Sequence, residues 1–120
     1  MVIRNWQSVT PYVGHETALI LPIFRKKNTK DLSEDEAPLL GTEGFTLHRM
    51  QPGMEGDYHD HKDREQIYYF TKGRGKMKIN DEVFNVREGD AIHLPPKTRH
   101  QLINDSEDWV EHMIITAEVP

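Results

Sequence analysis

Residues 58–70 read Tyr-His-Asp-His-Lys-Asp-Arg-Glu-Gln-Ile-Tyr-Tyr-Phe. His59 and His61 stand two apart, so in an extended chain both imidazoles project from the same face. Two neutral imidazoles on one face supply half of the coordination shell of a first-row transition metal. Just beyond them, Gln66 to Thr71 reads as a strand closed by the Gly73-Arg74-Gly75 turn. A third histidine, His100, follows Pro95-Pro96 and opens another strand.

The strand pattern extends outward from this stretch in both directions. Phe45 to Met50 is a strand ended by Pro52-Gly53. Lys76 to Ile79 and Glu82 to Val86 flank Asn80-Asp81, a two-residue hairpin turn. Ala91 to Leu94, Gln101 to Ile103 and Trp109 to Thr116 complete the set. Short strands at even spacing, broken by turn residues, predict an all-β sandwich or barrel. Thr17 to Phe24 is also β-rich but contains Pro22, which predicts an edge strand or a bulge. Lys27 to Glu43 is polar and reads as a loop with at most one helical turn.

At 120 residues the chain can build one core and not two. We therefore expect one domain, residues 1–43 giving an N-terminal strand and loop and residues 44–116 the barrel. The formal charge of -5 leaves no basic footprint for nucleic acid. The one basic cluster, Arg25-Lys26-Lys27, is short and followed by acids, and reads as a solvated strand end. There is no cysteine, which excludes a disulfide scaffold, thiolate metal sites and cysteine nucleophiles. The N-terminus carries Arg4, Asn5, Gln7 and Ser8 with no apolar run behind them, unlike a secretory signal. Ala18 to Ile23 is too short to cross a bilayer. A cytoplasmic protein with no membrane partner is the expectation.

Two spaced motifs carry a family resemblance. Gly53 is followed by five residues, then His59-Asp60-His61, and Gly73 closes the segment. Gly89 is followed by five residues and Pro95, with His100 and Asn104 in step behind it. Over Gly53 to Asn104 this resembles the paired motifs of the cupin superfamily. The resemblance implies a single all-β cupin barrel of jelly-roll (double-stranded β-helix) form. It also implies one divalent transition metal per chain, Fe, Mn, Zn or Ni, held by His59, His61, His100 and a fourth ligand. One position departs from the pattern: Lys97 stands where the family carries a glycine after the proline. If that turn needs positive φ, lysine costs on the order of 1 kcal/mol there.

The fourth ligand is Gln66 or Glu65. Three residues separate Glu65 from His61 and four separate Gln66 from it, but only Gln66 keeps a six-residue gap to Gly73. A slip of one residue exchanges the faces of a strand. Anchored on the Gly73 turn, Gln66, Tyr68 and Phe70 point into the barrel and Glu65 sits at its mouth, which favours Gln66. An amide ligand leaves the dication both of its charges, a stronger Lewis acid toward a substrate carboxylate or enolate than a carboxylate-ligated one. A Glu65 ligand suits iron or manganese chemistry with oxygen or oxalate-like acids. By ligand type alone, three histidines and a glutamine resemble cupins that rearrange unsaturated sugar acids, and some that modify polyketides.

Other residues are weaker candidates. Tyr68 beside a dication is a candidate acid, base or substrate ligand, its pKa expected to fall there; Phe70 would line the same cavity, and either is equally read as barrel filling. His48, His112 and Arg49 are candidate substrate contacts, although a strand histidine is more often simply packed. His93 reads as structural, His15 as an exposed loop residue, and Asp105 to Asp108 as a solvated turn. The combined expectation is a metal-dependent enzyme acting on a small organic acid, sugar acid or phenolic, by Lewis-acid or oxygen-activating chemistry. The alternative is a non-catalytic module that binds a metabolite or a metal. Leu19, Leu21 and Ile23 have little domain of their own to cover them in this reading, so a homodimer paired through that strand is expected.

Overall fold

Alternation of inward and outward side chains along short strands builds the whole chain, whose computed structural model describes residues 1–120. The strands are β1 (Tyr12–Gly14), β2 (Ala18–Arg25), β3 (Gly44–Met50), β4 (Arg64–Lys72), β5 (Arg74–Ile79), β6 (Glu82–Arg87), β7 (Ala91–Leu94), β8 (His100–Ile103) and β9 (Val110–Glu118). A 3-10 turn at Trp6–Ser8 precedes them, and there is no α-helix. The strands form a six-stranded antiparallel sheet in the order β1-β2-β3-β9-β4-β7 and a three-stranded sheet in the order β6-β5-β8. This is the all-β, jelly-roll arrangement expected from the sequence. No helix is long and apolar enough to cross a membrane.

The core lies between the two sheets. Ala18, Ile20, Met50, Tyr68, Phe70, Leu94, Val110 and Ile114 of the large sheet meet Met77, Val86 and Leu102 of the small one. A second, smaller cluster lies on the outer face of the large sheet: Val9, Leu21, Ile23 and Leu47, with Phe24, Phe45 and Met113 packed against them. Two turns hold the strands in register. Asn80 and Asp81 take φ of 47° and 69°, the left-handed pair that a two-residue hairpin requires. Gly73 takes φ of 81°, and a Cβ there would run into the carbonyl oxygen of Trp109, so the β4–β5 corner admits only glycine.

For β2 the bulge alternative holds and the edge-strand alternative does not, and two further expectations about this strand are corrected. It is an interior strand, between β1 and β3, and Pro22 sits at a bulge: the pairing with β3 shifts between Pro22 and Phe24. The extra residue places Ile23 and Phe24 both toward the outer cluster and returns Arg25 to the inner face, the face that also carries Ala18 and Ile20. Arg25 is therefore a cavity residue and not a solvated strand end. The premise for pairing through β2 also fails. Leu21 and Ile23 are already buried within the chain, at 6% and 8% exposure.

Register across the large sheet sets out the inner face in rows. Arg25 of β2, Gly44 of β3, Thr116 of β9 and Gln66 of β4 form one row. His48 of β3, His112 of β9 and Phe70 of β4 form another, deeper in the barrel.

Candidate metal centre

His59 and His61 lie on the extended segment that leads into β4, and His100 opens β8. The segment and the strand are tied by a reciprocal pair of backbone bonds, His59 amide to His100 carbonyl at 3.1 Å and the reverse at 2.8 Å. His61 is fixed from the other side, since its carbonyl accepts the Lys97 amide at 2.7 Å. One nitrogen from each of the three rings lies within 4.8 Å of the other two.

Hydrogen bonds at the far side of each ring decide which nitrogen faces inward. The His100 Nδ1 lies 2.9 Å from the Thr98 carbonyl oxygen, and the His59 Nδ1 lies 3.2 Å from the Asp57 carbonyl and 3.3 Å from its carboxylate. A carbonyl only accepts, so Nδ1 carries the proton and Nε2 keeps its lone pair. The Nε2 atoms of His59, His61 and His100 are all buried and have no partner in the chain. Burial holds His100 down to about 4, and burial followed by the charge of His59 lowers His61, so both are neutral at pH 7. Three imidazoles whose buried Nε2 atoms have no partner in the chain are a donor set that fits a divalent transition metal.

Gln66 has the same character. It is buried on the inner face, its Nε2 donates to Thr116 Oγ1 at 3.1 Å, and its Oε1 is buried without a partner. Glu65 points the opposite way. It is 46% exposed and pairs with His93 on the neighbouring strand at 2.9 Å, which occupies the carboxylate away from the histidines. The structure therefore brings Gln66, and not Glu65, to the inner face with the cluster.

The remaining candidates divide in the same manner. Tyr68 stacks on His112 at 4.9 Å and meets His100 edge-on at 5.7 Å; in the chain without a metal, burial pushes its phenol above the ordinary tyrosine range. Phe70 is fully buried core filling against His112. His48 and His112 face each other across β3 and β9, with ring centroids 5.2 Å apart. Burial holds His112 down to about 3, and burial, then His112, lowers His48 well below the usual imidazole range. Arg49 lies on the outer face, where it pairs with Glu111 at 3.5 Å and stacks between Trp6 and Trp109. It cannot reach the cluster, because β3 turns alternate residues to opposite sides.

Two further residues stand near the cluster. His15 is not an exposed loop residue: its ring stacks on His59 at 4.6 Å and its Nδ1 lies 3.0 Å from Asp57 Oδ1. Asp57 thus braces two imidazoles at once. Burial alone would raise its carboxyl, but His59 and the bond to His15 outweigh this and hold it below the ordinary value. Asp57 stands two residues before His59, on the same face of an extended chain, which is the one hint the sequence offered.

Two spaces adjoin these residues. A niche of about 20 Å3, room for a single small species, lies among His48, His59, Tyr68, His100 and His112. A cavity of about 230 Å3 opens beyond it, lined by His61, Gln66, Thr116, Arg25, Arg64 and Glu43 among others. A larger surface depression of about 970 Å3 near Gly73 and Arg87 holds none of the histidines.

Fold and site together define a class: a small two-sheet barrel with a histidine cluster facing its interior. The chain belongs to the cupin family, whose cupin-domain model matches residues 46–116. It is 28% identical over 104 residues to an uncharacterized protein of Methanocaldococcus jannaschii, covering 87% of this chain and 76% of that protein. Its fold is similar to that of a predicted oxalate decarboxylase from Thermotoga maritima, with TM-score 0.81 and 18% identity over 98% of this chain and 99% of the other. A sugar phosphate isomerase from Silicibacter pomeroyi also shares the fold, with TM-score 0.73 and 16% identity over 97% of this chain and 75% of the other.

Proposed function

We propose that the protein is a metal-dependent enzyme acting on a small oxygen-rich substrate, an organic acid, sugar acid or phenolic. The observation that carries this reading is the set of four inward donors without partners: the Nε2 atoms of His59, His61 and His100 and the Oε1 of Gln66. A buried acceptor left unpaired costs about 1–3 kcal/mol, so four together are best explained by a ligand they are built to hold. Iron, manganese, zinc or nickel would fit these donors and, when bound, would supply Lewis-acid polarisation, or oxygen activation in the case of iron. The chain's own residues do the rest. Asp57 and the Thr98 carbonyl fix the orientation and protonation of the ligand rings. Tyr68 supplies a hydroxyl at the inner cavity wall, and the apolar core beneath it excludes water. The similar folds named as a predicted oxalate decarboxylase and a sugar phosphate isomerase support a small anionic or polyhydroxylated substrate.

One observation favours a non-catalytic binding module as the second reading. His48 and His112, the imidazoles beside the niche that are not in the metal cluster, are held neutral by burial, so neither supplies a ready proton donor or a strong base there.

Elemental analysis of the protein prepared without a histidine tag tests the reading. About one equivalent of a divalent metal is expected, lost in a His59→Ala/His61→Ala variant that still folds. Absence of metal after reconstitution with each ion in turn would overturn it.

A further inference from the structure

The mouth of the cavity holds a charge arrangement that the metal cluster does not use. Arg25 and Arg64 both line it, and the Nε of each is buried without a hydrogen-bond partner. Arg64 pairs with Glu43 at 3.2 Å, and the same carboxylate is shared with Lys26 at 3.7 Å, which also reaches Glu118 at 3.5 Å. Two carboxylates therefore face three cations, and the surplus falls on Arg25, which has no ion-pair partner. A guanidinium is always charged and presents a planar fork suited to a carboxylate or a phosphate. Burying one of its donors unpaired is costly unless an anion completes it.

The backbone places this guanidinium deliberately over the sheet. The β2 bulge turns Arg25 inward, and Gly44, its neighbour in the row, has no side chain to block it: the Arg25 Nε lies 3.6 Å from where a Gly44 Cβ would stand. The row continues through Thr116 to Gln66. Three strand spacings, roughly 14 Å between the Cα atoms of Arg25 and Gln66, are bridged from both ends by side chains. What remains between the tips suits a molecule of a few carbons. A volume of about 230 Å3 likewise lies below the range of drug-sized pockets.

We propose that Arg25, assisted by Arg64, forms an anion subsite that holds the carboxylate or phosphate end of the substrate, while its other end faces His61 and Gln66. This rests on the reading of the cavity as a substrate site and names the substrate class: a small monoanion or dianion with its charge remote from the reacting oxygens.

The test is isothermal titration calorimetry of the metal-stripped protein at low ionic strength, with inorganic phosphate and with malonate as probes. Saturable one-to-one binding of at least one probe is expected, weakened tenfold or more in Arg25→Gln and unchanged in Arg74→Gln, an exposed arginine outside the cavity. A phosphate preference would assign a phosphate ester and a malonate preference a carboxylic acid. Binding of neither, or equal loss in both variants, overturns the subsite. If Arg25→Gln fails to fold, the wild-type amides of Gly44 and Thr116 are followed by NMR during the titration; shifts that saturate with the heat support the subsite, and unmoved amides overturn it. Cobalt(II) titration is read separately, so failure of the metal centre and failure of the anion subsite give distinct results.

Discussion

The two faces of the large sheet are made by the same strands and obey different rules. Its outer face is closed by contact: Leu21, Ile23 and Leu47 are sealed beneath Val9, Phe45 and Met113. Its inner face, toward one end, carries Arg25, Thr46, His48, His112, Thr116 and Gln66 lining the cavities, and several of their polar atoms end without partners. Apolar burial is the main source of folding free energy, whereas a buried unpaired polar group subtracts from it. The outer face therefore stabilises the barrel and the inner face draws on that stability. The division is what a binding protein of this size requires.

The largest test of that contrast is acid. His112 and His48 are neutral in the folded state because burial disfavours their charged forms, with His112 held down to about 3. Their folded pKa values lie below the unfolded value near 6.5, so below that pH the unfolded chain binds more protons than the native one. Stability is fully present above pH 6.5 and is lost as pH falls toward about 3. Between pH 7 and pH 4, His112 alone accounts for roughly 3 kcal/mol, and His48 adds to it. Urea unfolding of the metal-stripped protein should show this loss, reduced in His112→Leu. A pH-independent midpoint would break the picture of an inner face held neutral at a cost.

The outer face should respond to truncation and ignore the site. Leu47 is 3% exposed within the outer cluster, so Leu47→Ala should cost roughly 2–5 kcal/mol. Metal stoichiometry should be unchanged, because Leu47 and the histidines lie on opposite sides of the sheet. Loss of both together would show that the two faces are not separable.

The contrast also explains what could be read from the sequence. The all-β class and the strands from Phe45 to Thr116 were legible because period-two alternation and turn residues are local signals. The inward direction of Gln66, Tyr68 and Phe70 followed from counting back from Gly73, a residue whose corner tolerates nothing else. Arg25 was misread for the complementary reason. Its direction is set by a bulge two residues earlier, and one extra residue inverts every later side chain. β1 is only three residues long, Tyr12–Gly14, too short to show a period. His15 was hidden because its partner Asp57 lies 42 residues away in sequence.

The smallest effect concerns the turn that joins the two motifs' geometry. Lys97 takes φ of 64°, the left-handed region that the family pattern gives to glycine, and its amide bonds to the His61 carbonyl at 2.7 Å. A non-glycine residue in this conformation carries steric strain of about 1 kcal/mol. The bond to His61 compels the conformation, since the amide must point at the ligand-bearing segment. Lys97→Gly should remove the strain and keep the bond. Part of the gain is offset by the greater freedom of glycine in the unfolded chain, leaving a stabilisation of a few tenths to about 1 kcal/mol in chemical unfolding. Metal affinity should not change, because the His61 carbonyl keeps its donor. Lys97→Ala should show no such gain, as it retains the Cβ responsible for the strain. If Lys97→Gly instead loosened metal binding, the rigidity of a strained side-chain-bearing residue, and not the hydrogen bond alone, would be what holds His61 toward the inner face.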